Sequence, residues 1–159
     1  MGEKILTGIE GFDLMTNGGF PKGSLILVAG NPGTGKTVFS ANFIYNGIKK
    51  YGERGVYISF VEGKETFYRN MRGFGFNFEE LEKDGRFLFI EMLTMKEKGI
   101  STVLDWTIDK IQSFKAQRLV IDSFSAMAQA FKEQIDVRVI THLILSRIVR
   151  QIGLSLIHI

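Results

Sequence analysis

The sequence predicts an α/β fold with a mainly parallel sheet and flanking helices. Two observations lead to this prediction. Short apolar runs alternate with segments of helical periodicity, and each connection is long enough to cross from one parallel strand to the next. The 159 residues suffice for one domain with a buried core. Because sites in parallel sheets lie at the carboxyl ends of the strands, polar residues there are the first functional candidates.

Each element follows from local patterning. The predicted strands are residues 25–29, 56–60, 87–90 and 118–123, and the predicted helices are residues 36–50, 65–72, 79–83, 101–114 and 136–151. Gly52 is expected to end the first long helix, and Ser101 is a candidate N-cap. The last helix is apolar on all sides, which predicts that it is buried.

Composition excludes several classes of function. The chain has no cysteine, so disulfides and thiolate metal sites are excluded. The net charge is +3, but the basic residues are scattered and predict no nucleic-acid surface. No apolar run approaches the roughly 20 residues of a membrane span, and we expect a cytoplasmic protein. Neither His142 nor His158 lies in a pattern typical of a metal ligand.

One stretch carries a recognisable binding chemistry. Residues 30–37 read G-x-x-x-x-G-K-T between an apolar run and a predicted helix, the context in which this pattern forms a phosphate-binding loop. Glycines allow successive N–H groups to point at phosphate oxygens, and the helix N-terminus adds unpaired donors. Lys36 can neutralise the β- and γ-phosphates, and the Thr37 hydroxyl can ligate Mg²⁺.

Two acids follow predicted strands. Asp122 ends an apolar strand, where its carboxylate can hold Mg²⁺ beside Thr37; the alternative is a local cap on the turn at Ser125. Glu62 comes just after the second long strand, where it can orient or deprotonate a water that attacks the γ-phosphate. The alternative for Glu62 is an exposed loop carboxylate beside Lys64.

Several phrases of the sequence resemble KaiC-like ATPases of the RecA superfamily. They are T-G-I-E-G-F-D at residues 7–13, G-G-F-P-K-G-S at 18–24, the phosphate loop, S-F-V-E at 59–62, Y-R-N-M at 68–71 and L-V-I-D-S at 119–123. The resemblance covers residues 5–153 in order and spacing. It implies a RecA-like P-loop NTPase core that is truncated at its C-terminal end.

The resemblance also implies ligands and roles. It assigns ATP to residues Asn31, Pro32, Gly33, Thr34, Gly35, Lys36, Thr37 and Val38, and Mg²⁺ to Thr37 and Asp122. It gives Lys36 and Glu62 catalytic roles, although relatives often carry a glutamate pair where this chain has Val61 and Glu62. Tyr68 or Arg69 falls where relatives place a residue over the adenine ring. Members form homo-oligomeric rings, commonly hexamers, with ATP at the subunit interface.

Three other functions stay open at the level of sequence. Val61 is consistent with a nucleotide-gated signalling scaffold that binds ATP with little turnover. A DNA recombination or repair ATPase would need nucleic-acid loops beyond residue 153. Autophosphorylation on Ser or Thr occurs in some relatives.

The last six residues do not fit the resemblance, so we expect residues 1–153 to be a partial ATPase domain. Residues 154–159 read L-S-L-I-H-I, which the codons CTG TCT CTT ATA CAC ATC of a widely used transposon-based sequencing adapter encode. We expect this tail to be non-native read-through; a different codon series in the nucleotide sequence would contradict that. The tail is nevertheless apolar, and it suits the position of a central strand that the family places after residue 153.

Overall fold

The computed structural model describes residues 2–93, 99–130 and 155–158 and confirms the α/β fold with a parallel sheet. The elements in chain order are β1 (Lys4–Ile5), α1 (Phe12–Met15), β2 (Phe20–Pro21), β3 (Leu25–Leu27), α2 (Lys36–Tyr51), β4 (Gly55–Ser59), α3 (Lys64–Arg72), α4 (Phe78–Lys83), β5 (Phe87–Glu91), α5 (Ile100–Phe114), β6 (Arg118–Asp122), α6 (Phe124–Ala130) and β7 (Ser155–His158). None of the helices described is long and apolar enough to span a bilayer.

The main sheet brings the carboxyl ends of its strands to one edge. Its strand order, within the described residues, is β3-β7-β6-β4-β5, and every pairing is parallel. The short tail strand β7 lies between β3 and β6, the central position that the sequence analysis considered for it. The adapter origin of these residues stays a prediction. The predicted helix at 136–151, which includes His142, lies outside the described residues.

Alternating side chains of the strands fill two separate cores. Val56 and Ile58 of β4 pack on the α5 side of the sheet, together with Leu119 of β6. Tyr57 and Val120 point the other way, into a core built with α2, α3 and α4. Since successive residues of a strand alternate between faces, the side chain at the end of β6 is expected on the α2 side as well.

The structure departs from the sequence patterns at three places. The strand before the phosphate loop is only partly buried, with Leu27 62% exposed, because β3 is an edge strand. Helix α5 begins at Ile100 with Gly99 as N-cap, so Ser101 is not the cap. The antiparallel pair of β1 and β2 was not anticipated, because two-residue strands have too little pattern to predict.

A buried arginine fastens the N-terminal segment to the base of the sheet. Arg118, at the start of β6, is 1% exposed and pairs with the Glu53 carboxylate. Its guanidinium donates to the carbonyls of Leu6 at 2.6 Å and Phe43 at 2.8 Å, and it lies over the Phe43 ring. Gly47 makes room for it, since a Cβ there would lie 2.4 Å from Arg118 Cδ.

Candidate functional site

The phosphate loop lies open to solvent at the start of α2. Gly33 and Gly35 have φ angles of 83° and 88°, a left-handed conformation that favours glycine, and Gly35 is the N-cap of the helix. Residues 31–35 are exposed. The Lys36 ammonium donates to the carbonyl oxygens of Gly30 at 2.8 Å and Asn31 at 2.9 Å. The loop therefore exposes a helix N-terminus, and the Lys36 ammonium lies against the loop backbone.

The predicted metal ligands Thr37 and Asp122 lie in direct contact. Although 85 residues separate them, the Thr37 hydroxyl donates to Asp122 Oδ2 at 2.8 Å. Asp122 is 7% exposed, and its carboxylate faces α2, as the alternation in β6 predicts. Within the residues described, no three histidine, cysteine or acidic side chains cluster as a protein-only metal site. Phosphate oxygens and water are the ligands that usually complete a Mg²⁺ site with one or two protein ligands.

A second hydroxyl reaches the same carboxylate oxygen. The Tyr57 hydroxyl donates to Asp122 Oδ2 at 2.7 Å. Burial, and then the neighbouring Asp122 charge, raise the pKa of Tyr57 well above its ordinary value, so the phenol stays protonated and acts as a donor. Tyr57 was not anticipated by the sequence analysis, because its contact depends on the register that pairs Tyr57 with Val120.

The turn after β6 is capped by Ser123. Ser123 Oγ accepts a hydrogen bond from the Ala126 N–H at 3.1 Å, at the start of α6. The local cap that was the alternative role for Asp122 is thus made by its neighbour. Asp122 is left to contact Thr37 and Tyr57.

A cleft of about 420 Å³ runs beside the loop. Gly30, Pro32 and Lys36 line it on the loop side, and Ser123, Phe124 and Ser125 line it on the α6 side. The cleft thus joins the phosphate loop to the segment that follows Asp122. This volume is within the range of small-molecule sites.

Glu62 lies in the loop between β4 and α3, half-buried and on the same sheet edge. Its backbone N–H donates to Ser59 Oγ at 3.0 Å, and its carboxylate accepts a hydrogen bond from Asn70 Nδ2 at 3.3 Å. Partial burial, and then the Asp122 charge, raise the pKa of Glu62 above its ordinary value of 4.5, while the Asn70 hydrogen bond opposes the shift. The Glu62 carboxylate is therefore close enough to Asp122, the candidate metal ligand, for the two charges to interact. Asn70, which no motif singled out, is a further residue of this site.

The two candidates for the adenine contact differ in exposure. Tyr68 is 4% exposed, with its ring among Phe87 and Phe89 in the core. Arg69 is the exposed residue of the pair. An adenine ring can reach only an accessible group, so the packing favours Arg69 and gives Tyr68 a place in the core. The adenine contact itself stays a prediction.

The chain is similar to known proteins over most of its length. The family model described as the KaiC ATPase matches residues 5–159. The chain belongs to the KaiC family of ATPases. Among curated KaiC relatives, the circadian clock protein KaiC3 of Synechocystis is 32% identical over 144 residues, and the circadian clock oscillator protein KaiC of Prochlorococcus marinus is 37% identical over 136 residues. These matches cover 86% and 81% of the chain.

A solved structure shares the fold. The crystal structure of a KaiC-like protein from Pyrococcus horikoshii superposes with a TM-score of 0.84 at 34% sequence identity, covering 99% of this chain and 70% of that one. The chain spans only 28% of the length of KaiC3 and 27% of Prochlorococcus KaiC. A Thermotoga maritima protein of the UPF0273 group is 35% identical, and 57% of its length is covered.

Proposed function

We propose that this site binds ATP with Mg²⁺ and hydrolyses its β–γ phosphoanhydride bond. The observation that carries the proposal is the contact between Thr37 and Asp122 directly below the phosphate loop. It joins the first residue after the loop lysine to the acid that ends β6. Membership in the KaiC ATPase family supports ATP as the nucleotide.

The loop and its lysine would hold the polyphosphate. The N–H groups of the exposed residues 31–35 and of the first turn of α2 supply donors at a positive helix end. Among the described residues, the Lys36 ammonium bonds to two exposed loop carbonyls, which it can exchange for phosphate oxygens without leaving a buried group unpaired. Arg69 is exposed on the surface, where its guanidinium would contact the adenine ring.

Thr37 and Asp122 fit Mg²⁺ by the chemistry of their atoms. Hydroxyl and carboxylate oxygens are hard ligands, and a site with one or two protein ligands plus phosphate oxygens is typical of Mg²⁺. When bound, Mg²⁺ offsets the negative charge on the transferred phosphoryl group. The Thr37 hydroxyl would still have lone pairs for a cation while it donates its proton to Asp122.

Glu62 would prepare the attacking water. Its carboxylate accepts a proton from the water as the oxygen bonds to the γ-phosphorus and ADP leaves. Ser59 fixes the backbone of Glu62 and Asn70 holds its carboxylate, so the base is restrained from both sides. The neighbouring Val61, which is 58% exposed, stands where relatives often have a second glutamate. The lack of a second carboxylate at this position favours slow turnover. A nucleotide-gated scaffold with little hydrolysis is therefore the second candidate.

The family also supports proposals about assembly. We propose a homo-oligomeric ring, with a hexamer as the first expectation, in which a neighbouring subunit completes the ATP site. A cytoplasmic location fits an ATP-dependent protein.

Phosphate release by the purified chain, with and without DNA, tests the function. The proposal expects slow, Mg²⁺-dependent release that DNA leaves unchanged. ATP binding without turnover would favour the scaffold, and strong stimulation by DNA would favour a recombination ATPase. Incorporation of labelled γ-phosphate into the protein would instead indicate autophosphorylation.

Asn70→Ala is expected to move the acid side of the pH–rate profile to higher pH. Glu62 acts as a base only when deprotonated, so the rate rises with pH through its pKa, which is already raised. Asn70 stabilises the charged carboxylate, and its removal raises that pKa further. Hydrolysis rates between pH 4 and 8 measure the midpoint. Arg72→Ala, which changes an exposed residue of the same helix, is the control; equal midpoints in both variants would contradict the role of Asn70.

A further inference from the structure

Tyr57 lies in the aromatic core, and its hydroxyl contacts Asp122, the candidate metal ligand. Its side chain is fully buried, with the ring stacked on Phe89 at 5.8 Å between centroids and packed against Phe67 at 4.5 Å. At the end of this ring, the hydroxyl donates to Asp122 Oδ2 at 2.7 Å. Full burial and contact with these two rings leave the phenol little freedom to turn.

Two hydroxyl donors thus converge on a single carboxylate oxygen. Thr37 approaches from α2 at 2.8 Å and Tyr57 from β4 at 2.7 Å. The two donors differ in their surroundings, since Thr37 is half-buried beside the loop and Tyr57 is locked in the core. Tyr57 can therefore hold the carboxylate in place whether or not Thr37 changes its partners when a ligand arrives.

We propose that Tyr57 is a positioning residue that orients Asp122 and thereby sets the affinity of the site for a divalent cation. This inference rests on the proposed function, in which Asp122 faces Mg²⁺. A carboxylate that is already held in one orientation loses less rotational freedom when the cation binds. Mutation of a residue that hydrogen-bonds to a metal ligand and orients it typically lowers metal affinity by about 10- to 100-fold.

The test compares Tyr57→Phe with Tyr45→Phe. The first variant removes the hydroxyl that contacts Asp122 and keeps the ring. The second removes a hydroxyl from α2, where the ring contacts Phe76 and Phe78. Binding of a fluorescent ATP analogue is titrated with Mg²⁺, and binding without divalent cations and the thermal unfolding midpoint are measured in parallel. The full chain is used throughout.

The expected result is selective. Tyr57→Phe raises the Mg²⁺ concentration at half-maximal enhancement by about tenfold, and it leaves the cation-free binding of the analogue unchanged. Tyr45→Phe changes neither. An unchanged Mg²⁺ midpoint in Tyr57→Phe overturns the inference, and so does an equal loss of binding with and without Mg²⁺, which would indicate support of the fold alone. If the wild-type chain shows no Mg²⁺ enhancement, the proposed function and this inference both fail.

Discussion

Replacement of Glu62 by glutamine is expected to lower kcat for ATP hydrolysis by about 10²- to 10⁴-fold and to leave ATP affinity unchanged. Glutamine keeps the size of the side chain and can still contact Asn70, but it cannot accept a proton from water. The carboxylate is half-buried near the Asp122 charge. Removing one negative charge there does not weaken the binding of an anionic nucleotide. Phosphate release and equilibrium ATP binding, measured on the same preparation, separate the two effects.

Glu65→Gln is the matched control for this change. Glu65 is an exposed glutamate in the first turn of α3, three residues beyond Glu62. Its replacement should leave both turnover and binding close to wild type. If Glu62→Gln retains wild-type turnover, the base lies elsewhere in the protein. If both variants lose binding, the segment that contains Glu62 and the first turn of α3 contacts the nucleotide directly, and the role of Glu62 in water activation is contradicted.

Arg118→Met is expected to lower the free energy of unfolding by about 3–5 kcal/mol. Methionine can fill part of the space, but the Glu53 carboxylate would lose its buried partner and the carbonyls of Leu6 and Phe43 would lose a charged donor. The N-terminal segment would also lose the hydrogen bond that connects Leu6 to β6. Such a loss is a large share of the roughly 5–15 kcal/mol that stabilises a typical domain. Urea unfolding followed by circular dichroism measures the effect.

Arg72→Ala provides the comparison for Arg118. Arg72 pairs with Glu79 at 3.1 Å on the surface, where the two side chains are 54% and 42% exposed. An exposed pair of this kind contributes about 0–1 kcal/mol. Similar small losses for both arginine variants would contradict the structural role given to Arg118.

Much of the fold could be predicted because its patterns are local. Helix α2 was expected at residues 36–50 and runs from Lys36 to Tyr51, ending at Gly52. Strands β4, β5 and β6 were found from short apolar runs with Gly or charged residues at their ends. The burial of Arg118 could not be predicted in this way, because an arginine at the start of a strand usually points to solvent. Its carbonyl partners come from the N-terminal segment and α2.

The candidate site was predictable where residue type and strand position determine it. Asp122 and Thr37 were expected to meet, since the carboxyl end of a strand and the start of the phosphate-loop helix share one edge of the sheet. Tyr57 and Asn70 were not expected, because their contacts depend on exact register and side-chain direction. Tyr68 shows the same limit, since the sequence could not tell a core ring from an adenine contact.

The central claim, that the loop at residues 30–37 binds ATP, is tested most directly by equilibrium ATP binding to wild type and Lys36→Ala. Wild type is expected to bind ATP, and Lys36→Ala to lose about a hundredfold or more in affinity, because the alanine removes the cation proposed to contact the phosphates. Lys49→Ala, which removes an exposed lysine from the other end of α2, should bind like wild type. Equal ATP affinity in wild type and Lys36→Ala would contradict the account.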